Sequence, residues 1–136
     1  MRIVSDIDHV GIAVRDLDAA VLHYGRTLGV EPAHRETLEA QGVEAVFLEV
    51  GRSAIELMAP LRRDSPVGRF LDRRGEGFHH VAYRVDDLAA TLAHLDAEGV
   101  RLVDREPREG SRGTRIAFVH PSAFGGVLIE LVEVPG

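Results

Sequence analysis

A short segment near the start of this chain occurs a second time in its latter half. Residues 8–14, DHVGIAV, return as residues 79–85, HHVAYRV, and residues 54–57, AIEL, return as residues 128–131, LIEL. Because the openings and the endings of the two copies align together, the chain is predicted to be a tandem of two related modules. We place module one at about 5–60, a linker helix at about 61–77 and module two at about 78–134, within one domain of residues 1–136.

The hydrophobic pattern predicts the same order of elements in both modules. Apolar residues alternate along residues 7–14 and 78–85, which is the period of a half-buried strand. Asp16 is then predicted to cap a helix that ends at Gly29, and the pattern after Val85 repeats this arrangement up to Gly99. Further strands are expected at 33–36, 43–50, 53–58, 100–105, 115–120 and 127–134. The fold class is therefore α+β, with tandem βαβββ modules forming a curved mixed sheet around a pocket.

Two connecting segments carry their own signals. The linker contains a helix that begins at Pro66, after a cap at Asp64 or Ser65, and stops at Gly75. The loop at 107–113 is rich in glycine and arginine, so we expect it to be exposed and mobile.

Four ionisable residues occupy equivalent positions in the repeat. His9 and His80 lie in the first strand of each module, and Glu56 and Glu130 lie in the last. Each lies one position from apolar residues that face the helices, such as Val10, Leu57, Val81 and Leu131. All four are therefore predicted to lie on the opposite face of the sheet. Such groups would repel or neutralise one another in a shared pocket unless a cation lay between them. The pattern therefore predicts a metal site with these four ligands.

Composition limits the ion and the partners. The chain has no cysteine, and imidazole with carboxylate suits Co²⁺, Mn²⁺, Ni²⁺, Fe²⁺ or Zn²⁺. A net charge of -6 argues against nucleic acid and anionic membranes as partners. No apolar run approaches the roughly 20 residues of a membrane span, and no secretion signal is recognisable, so we expect a cytoplasmic protein. All basic residues are arginine, which excludes a lysine Schiff base.

Longer motifs carry a resemblance to a known family. The chain contains IDHV at 7–10, QGV at 41–43, ELMAPL at 56–61, DSP at 64–66, GFHHVA at 77–82 and GGVLIEL at 125–131. Together these resemble the vicinal oxygen chelate superfamily, and within it the methylmalonyl-CoA epimerase family, along nearly the whole chain. The resemblance implies a homodimeric enzyme that acts on an acyl-CoA substrate.

The activity implied is the inversion of C2 of methylmalonyl-CoA by proton abstraction through a metal-stabilised enolate. The resemblance implies that His9, His80 and Glu130 match metal ligands of the family, while Glu56 falls where some members carry glutamine and others glutamate. We favour Co²⁺ or Mn²⁺ over Ni²⁺, Zn²⁺ or Fe²⁺. Glu130 is the first candidate for proton transfer. A glutamate that some relatives carry after Gln-Gly-Val falls at Ala45 here, and Glu44, one place earlier, is the second candidate although strand parity points it away from the pocket.

Three alternatives share the fold. A glyoxalase I-like lyase would use similar ligands on a glutathione hemithioacetal. A non-enzymatic binding protein would hold a small molecule without a metal, but it would have no need for four converging ionisable groups. A ring-cleaving dioxygenase fits less well, because its two-histidine, one-carboxylate iron site leaves open the position that Glu56 would fill.

Overall fold

A computed structural model describes residues 2–136. The chain divides into two compact units, and each is described by itself. The first unit comprises residues 9–79, and the second comprises residues 2–8 and 80–136. Strand β1, Val4–Ala13, contributes its first half to the second unit and its second half to the first. No helix in the described part of the chain is both long and apolar enough to cross a bilayer.

The first unit follows the predicted order of elements. After β1 come helix α1, strands β2, β3 and β4, and helix α2, at Leu17–Leu28, Pro32–Leu38, Val43–Val50, Ser53–Pro60 and Pro66–Arg74 respectively. The helix ends are where the sequence predicts them. The Asp16 side chain accepts from the Ala19 amide, Gly29 ends α1 in the left-handed conformation, and Ser65 caps α2.

The strands of the first unit form a mixed arrangement in the order β2-β3-β4-β1. Strand β1 is parallel to β4, and β3 is antiparallel to both β4 and β2. One face packs on α1 through residues such as Val14, Leu17 and Leu57. The other face packs on α2, where Ala13, Ala45, Phe47, Ala54 and Met58 meet Val67 and Leu71. The linker helix therefore covers part of the face that was expected to be away from all helices.

The second unit repeats this arrangement with a reduced edge. Its elements after β1 are strand β5, helix α3 and strands β6, β7 and β8, at Gly77–Val85, Leu88–Ala97, Arg108–Glu109, Arg115–Val119 and Ile129–Glu133. The strand order is β1-β5-β8-β7-β6. Strand β5 is parallel to β8, and β7 is antiparallel to β8 and β6. On the face toward α3, Val85, Ala117 and Ile129 pack with Leu88 and Leu92 of the helix.

The prediction of a strand at 100–105 is wrong. Only Leu102 forms an isolated bridge, to Val119. The amides of Val103 and Asp104 both donate to the carbonyl of Phe118, at 3.0 and 3.1 Å, and the Asp104 carboxylate accepts from the Phe118 amide at 2.8 Å. The segment therefore contacts β7, but through a doubled backbone contact and a side chain that interrupt the regular ladder.

The loop after this segment is exposed only in part. Arg108 and Glu109 are exposed as predicted, whereas Gly110, Ser111 and Thr114 are buried. The Gly110 amide donates to the Thr114 carbonyl at 2.9 Å, and the Thr114 hydroxyl donates to the Ser111 carbonyl at 2.7 Å. The prediction of an exposed loop is therefore wrong for Gly110 and Ser111, whereas Gly113 is exposed.

Candidate metal centre

The first unit brings His9 together with Glu56. His9 lies in β1 and Glu56 in the parallel neighbour β4, where Gly11 and Glu56 are register partners. Their side chains share a face because alternate residues of a strand point the same way. The imidazole Nε2 lies 3.3 Å from the carboxylate Oε1, and both side chains are almost completely buried. The structure therefore brings these two predicted residues into contact.

The second unit brings His80 together with Glu130 in the same way. Here β5 is parallel to β8, and Ala82 is the register partner of Glu130. His80 Nε2 lies 3.1 Å from Glu130 Oε1, again with both side chains almost completely buried. The two copies of the repeated motif thus build the same histidine–glutamate pair from the same strand register.

Each pair fits the chemistry of a metal ligand set. A buried carboxylate is costly unless a positive group lies against it, and a histidine supplies that charge only when protonated. A divalent cation bound by both side chains would serve equally well. Two ligands in neighbouring positions of an octahedral ion lie about 3 Å apart when each is about 2.1 Å from the metal. The spacings of 3.3 and 3.1 Å are in that range.

A phenylalanine flanks each histidine, and the sequence analysis did not identify it. Phe47 lies in β3 directly opposite Glu56, and its ring meets the His9 ring edge-on at a centroid distance of 5.4 Å. Phe118 lies in β7 directly opposite Glu130 and meets the His80 ring at 5.8 Å in the same manner. The rings restrict the imidazoles and exclude water from their flanks. The available signal was an aromatic residue in the strand that precedes each glutamate strand.

The structure does not bring Glu44 to the His9–Glu56 pair. In β3 the residues on that face are Ala45 and Phe47, and Glu44 lies on the opposite face. Its carboxylate accepts a hydrogen bond from Arg35 Nε at 2.9 Å, and Arg35 also donates to Asp18 at 2.7 Å. The hydrogen bonds with Glu44 and then Asp18 raise the pKa of the Arg35 guanidinium, so it stays charged. The catalytic role of Glu44 stays a prediction.

Sequence comparison identifies the superfamily. Residues 8–118 match the glyoxalase/bleomycin resistance protein/dioxygenase superfamily. A curated relative, the ethylmalonyl-CoA/methylmalonyl-CoA epimerase of Cereibacter sphaeroides, is 37% identical over 96% of this chain and 99% of its own length. These matches extend over both units, so the resemblance does not depend on one motif.

Solved structures give the same result. A methylmalonyl-CoA epimerase from Mycobacterium tuberculosis is 45% identical and covers 100% of this chain and 92% of its own, with a TM-score of 0.96. A methylmalonyl-CoA epimerase in complex with methylmalonyl-CoA and NH4+ is 44% identical, covers 98% and 96% of the two chains, and has a TM-score of 0.95. The predicted α+β fold with its mixed sheet of eight strands is thereby confirmed. The chain belongs to the glyoxalase/bleomycin resistance protein/dioxygenase superfamily and, within it, to the family of the methylmalonyl-CoA epimerases.

Proposed function

We propose that this chain is a metal-dependent epimerase that inverts C2 of methylmalonyl-CoA. The observation that carries the proposal is the pair of buried histidine–glutamate contacts, built twice on the same register in a chain 44% identical to an epimerase complexed with methylmalonyl-CoA. The substrate is an acyl-CoA whose C2 lies between a thioester and a carboxylate. Such a carbon is the most acidic C–H position of the molecule.

The four residues His9, Glu56, His80 and Glu130 would hold one divalent ion. Two imidazoles and two carboxylates suit Co²⁺ or Mn²⁺, with Ni²⁺, Zn²⁺ and Fe²⁺ as the other ions of the same ligand preference. When bound, such an ion supplies the positive charge that acidifies the C–H bond beside the thioester. The first pair lies in the segments DHVG and AIEL, and the second pair lies in HHVA and LIEL. Each copy therefore supplies one imidazole and one carboxylate.

Proton transfer is the part of the reaction that falls to side chains of the protein. Inversion requires that a proton leave one face of C2 and that a proton be returned to the other face. The Glu130 carboxylate would accept the first proton, while the electron pair of the broken C–H bond passes into the enolate. Reprotonation from the opposite face restores the thioester with the opposite configuration and consumes no oxidant or reductant. Glu44 stays the predicted second acid, but it lies on the face of β3 opposite to Glu56 and is paired with Arg35.

The aromatic flanks of the histidines support this chemistry. Phe47 and Phe118 place apolar edges against the imidazole rings of His9 and His80. Water that reached an enolate would compete as a proton source and would strengthen screening of the charges around it. The rings therefore favour transfer between the substrate and the buried carboxylates.

Proton exchange at C2 tests the proposal directly. The enzyme is stripped with a chelator, reloaded with Co²⁺ or Mn²⁺, and incubated with methylmalonyl-CoA in deuterated water. We expect deuterium to enter C2 at a rate that depends on added metal, as measured by mass spectrometry. The absence of metal-dependent exchange would overturn the proposed function, and formation of lactoylglutathione from the glutathione hemithioacetal of methylglyoxal would favour a glyoxalase I-like lyase instead.

Two wider properties stay predictions from the sequence. A homodimer is expected, because each unit ends in an edge strand that can associate, namely β2 and β6. Light scattering coupled to size-exclusion chromatography gives the mass in solution, and a mass of one chain at micromolar concentration would contradict it. The cytoplasmic location is likewise a prediction.

A further inference from the structure

One carboxylate of the second unit holds two arginines. The side chain of Asp8 is 0% exposed, and its Oδ1 accepts from Arg84 Nη2 at 2.7 Å while its Oδ2 accepts from Arg112 Nη2 at 2.5 Å. Part of each arginine side chain is accessible, 36% for Arg84 and 27% for Arg112, while the Nε atom of each is buried. Asp8 thus holds one nitrogen of each guanidinium, and part of each arginine side chain is accessible.

The backbone that carries Arg112 is a tight turn. Arg112 has φ 56° and ψ 30°, and it is the single non-glycine residue with positive φ in the described part of the chain. A side chain on Gly110 would place Cβ 2.6 Å from Ile116 Cγ2, so the turn lies directly on β7. Left-handed backbone at an arginine is unfavourable, and an outlier of this kind points to a constraint on where its side chain must go. Here that place is Asp8.

The two arginines lie on the face of the sheet that carries His80 and Glu130. Arg84 has the strand parity of His80 and Ala82 along β5. Ile116, which the turn covers, belongs to the apolar cluster on that face together with Ala82 and Val132. Arg84 is four residues beyond His80, which is about 13 Å along a strand. The Arg84 guanidinium contacts Asp8, the residue that directly precedes His9 in β1.

We propose that Arg84 and Arg112 bind an oxyanion of the acyl-CoA substrate, with Asp8 as the residue that positions them. This inference rests on the proposed function. Two guanidiniums on one carboxylate leave a net positive charge. An oxyanion at their accessible parts would balance that charge through charge-assisted hydrogen bonds. An acyl-CoA offers two sources of this chemistry, the carboxylate of the acyl group and the phosphates of CoA. Both are planar or tetrahedral oxyanions that a guanidinium recognises through two N–H groups.

The test uses two substitutions that remove one guanidinium each. Arg112→Gly removes the charge and relieves the left-handed backbone, while Arg84 still pairs with the buried Asp8 carboxylate, so the protein is expected to fold. Arg84→Gln removes the other charge without touching the turn. Arg105→Gln is the matched control, because Arg105 belongs to the same unit but is 77% exposed and pairs with Asp96. Thermal melting checks that each variant is folded.

Steady-state kinetics with two thioesters separates the sources of the oxyanion. We expect Arg112→Gly and Arg84→Gln to raise KM for methylmalonyl-CoA about tenfold or more, with kcat changed less than KM. An equal rise with methylmalonyl-pantetheine, which lacks the CoA phosphates, assigns the oxyanion to the carboxylate. A rise confined to methylmalonyl-CoA, with a KM that increases with salt in the unsubstituted protein, assigns it to phosphate.

Direct binding keeps this inference distinct from the proposed function. Calorimetric titration with CoA and with methylmalonate requires no turnover. One outcome is that the unsubstituted protein shows no exchange at C2, while both variants bind one of these probes with a higher Kd than the unsubstituted protein does. In that case the proposed function is overturned and the oxyanion site stands. If the unsubstituted protein is active and both variants match Arg105→Gln in KM for both thioesters, the oxyanion site is overturned alone.

Discussion

Each unit arranges four equivalent strands around a histidine and a glutamate, but the two units differ at their edge strands. In both, the histidine strand is parallel to the glutamate strand, which is antiparallel to a strand carrying phenylalanine. In the first unit a seven-residue edge strand follows, whereas in the second the edge strand has two residues and leads into the turn that holds Arg112. The two copies are thus alike in the strands that carry the histidine, the glutamate and the phenylalanine, and they differ in the edge strand.

The units also differ in how they use charged side chains. The first unit carries an ion network of Arg35, Glu44 and Asp18 on the face toward α1, and Asp18 is 80% exposed. The second unit carries Asp8, Arg84 and Arg112, with the carboxylate completely buried. An exposed network contributes little to stability, whereas a buried carboxylate must keep its partners. The comparison therefore predicts different consequences of substitution in the two networks.

The largest effect is expected from removing either histidine. If the two pairs hold one ion, His9→Ala and His80→Ala should each weaken metal binding by about 100-fold or more and abolish exchange at C2. His94→Ala, an exposed histidine on α3, is the control. Calorimetric metal titration of the three variants measures the effect. A normal metal affinity in one of the two histidine variants would break the equivalence of the units.

The next effect distinguishes the two glutamates. Glu130→Gln should lower the exchange rate at saturating metal by about 10² to 10⁴, the range for loss of a proton-transfer group. Glu56→Gln keeps an oxygen donor and has no assigned proton transfer, so its loss at saturating metal should be smaller. Single-turnover exchange at matched metal content measures both. Equal losses would show that the carboxylates act alike and would remove Glu130 from its separate role.

A third pair of substitutions compares the ion networks. Asp8→Asn removes the buried charge between two arginines and should lower the free energy of unfolding by about 3 kcal/mol. Asp18→Asn removes an exposed partner of Arg35 and should leave the unfolding midpoint nearly unchanged. Urea unfolding at constant pH measures both. A stable Asp8→Asn protein would mean that the arginines are held by other contacts.

Much of this arrangement follows from local sequence signals. Alternation of apolar residues and capping residues such as Asp16 and Ser65 determine strand faces and helix ends within a few residues. The repeat then identifies which polar residues on those faces are equivalent, and this led to His9, Glu56, His80 and Glu130. These signals act over one element or one repeat, so periodicity and comparison of the copies detect them.

Other features depend on contacts that no local pattern reports. The segment 100–105 has the composition of a strand, but Asp104 accepts the Phe118 amide and interrupts the ladder. The glycines of the loop at 107–113 suggested exposure, whereas Gly110 is there because Ile116 leaves no room for a side chain. The buried contact from Asp8 to Arg112 joins residues 104 positions apart. Each case requires knowledge of which distant residue lies opposite.

The smallest effect is expected from Glu44→Gln, which tests the remaining catalytic candidate. If Glu44 serves only the exposed network with Arg35, exchange at C2 should stay within about threefold of the unsubstituted rate, since a general base contributes about 10² or more. Arg35→Gln, which removes the partner and leaves the carboxylate, is the matched variant. If Glu44 is instead a base that the ion pair with Arg35 inhibits, the Glu44→Gln variant should lose activity, whereas the Arg35→Gln variant should keep or gain it. If Glu44→Gln alone lowers the exchange rate by 100-fold or more, Glu44 is the second proton-transfer group, although strand parity places it on the face of β3 away from Glu56.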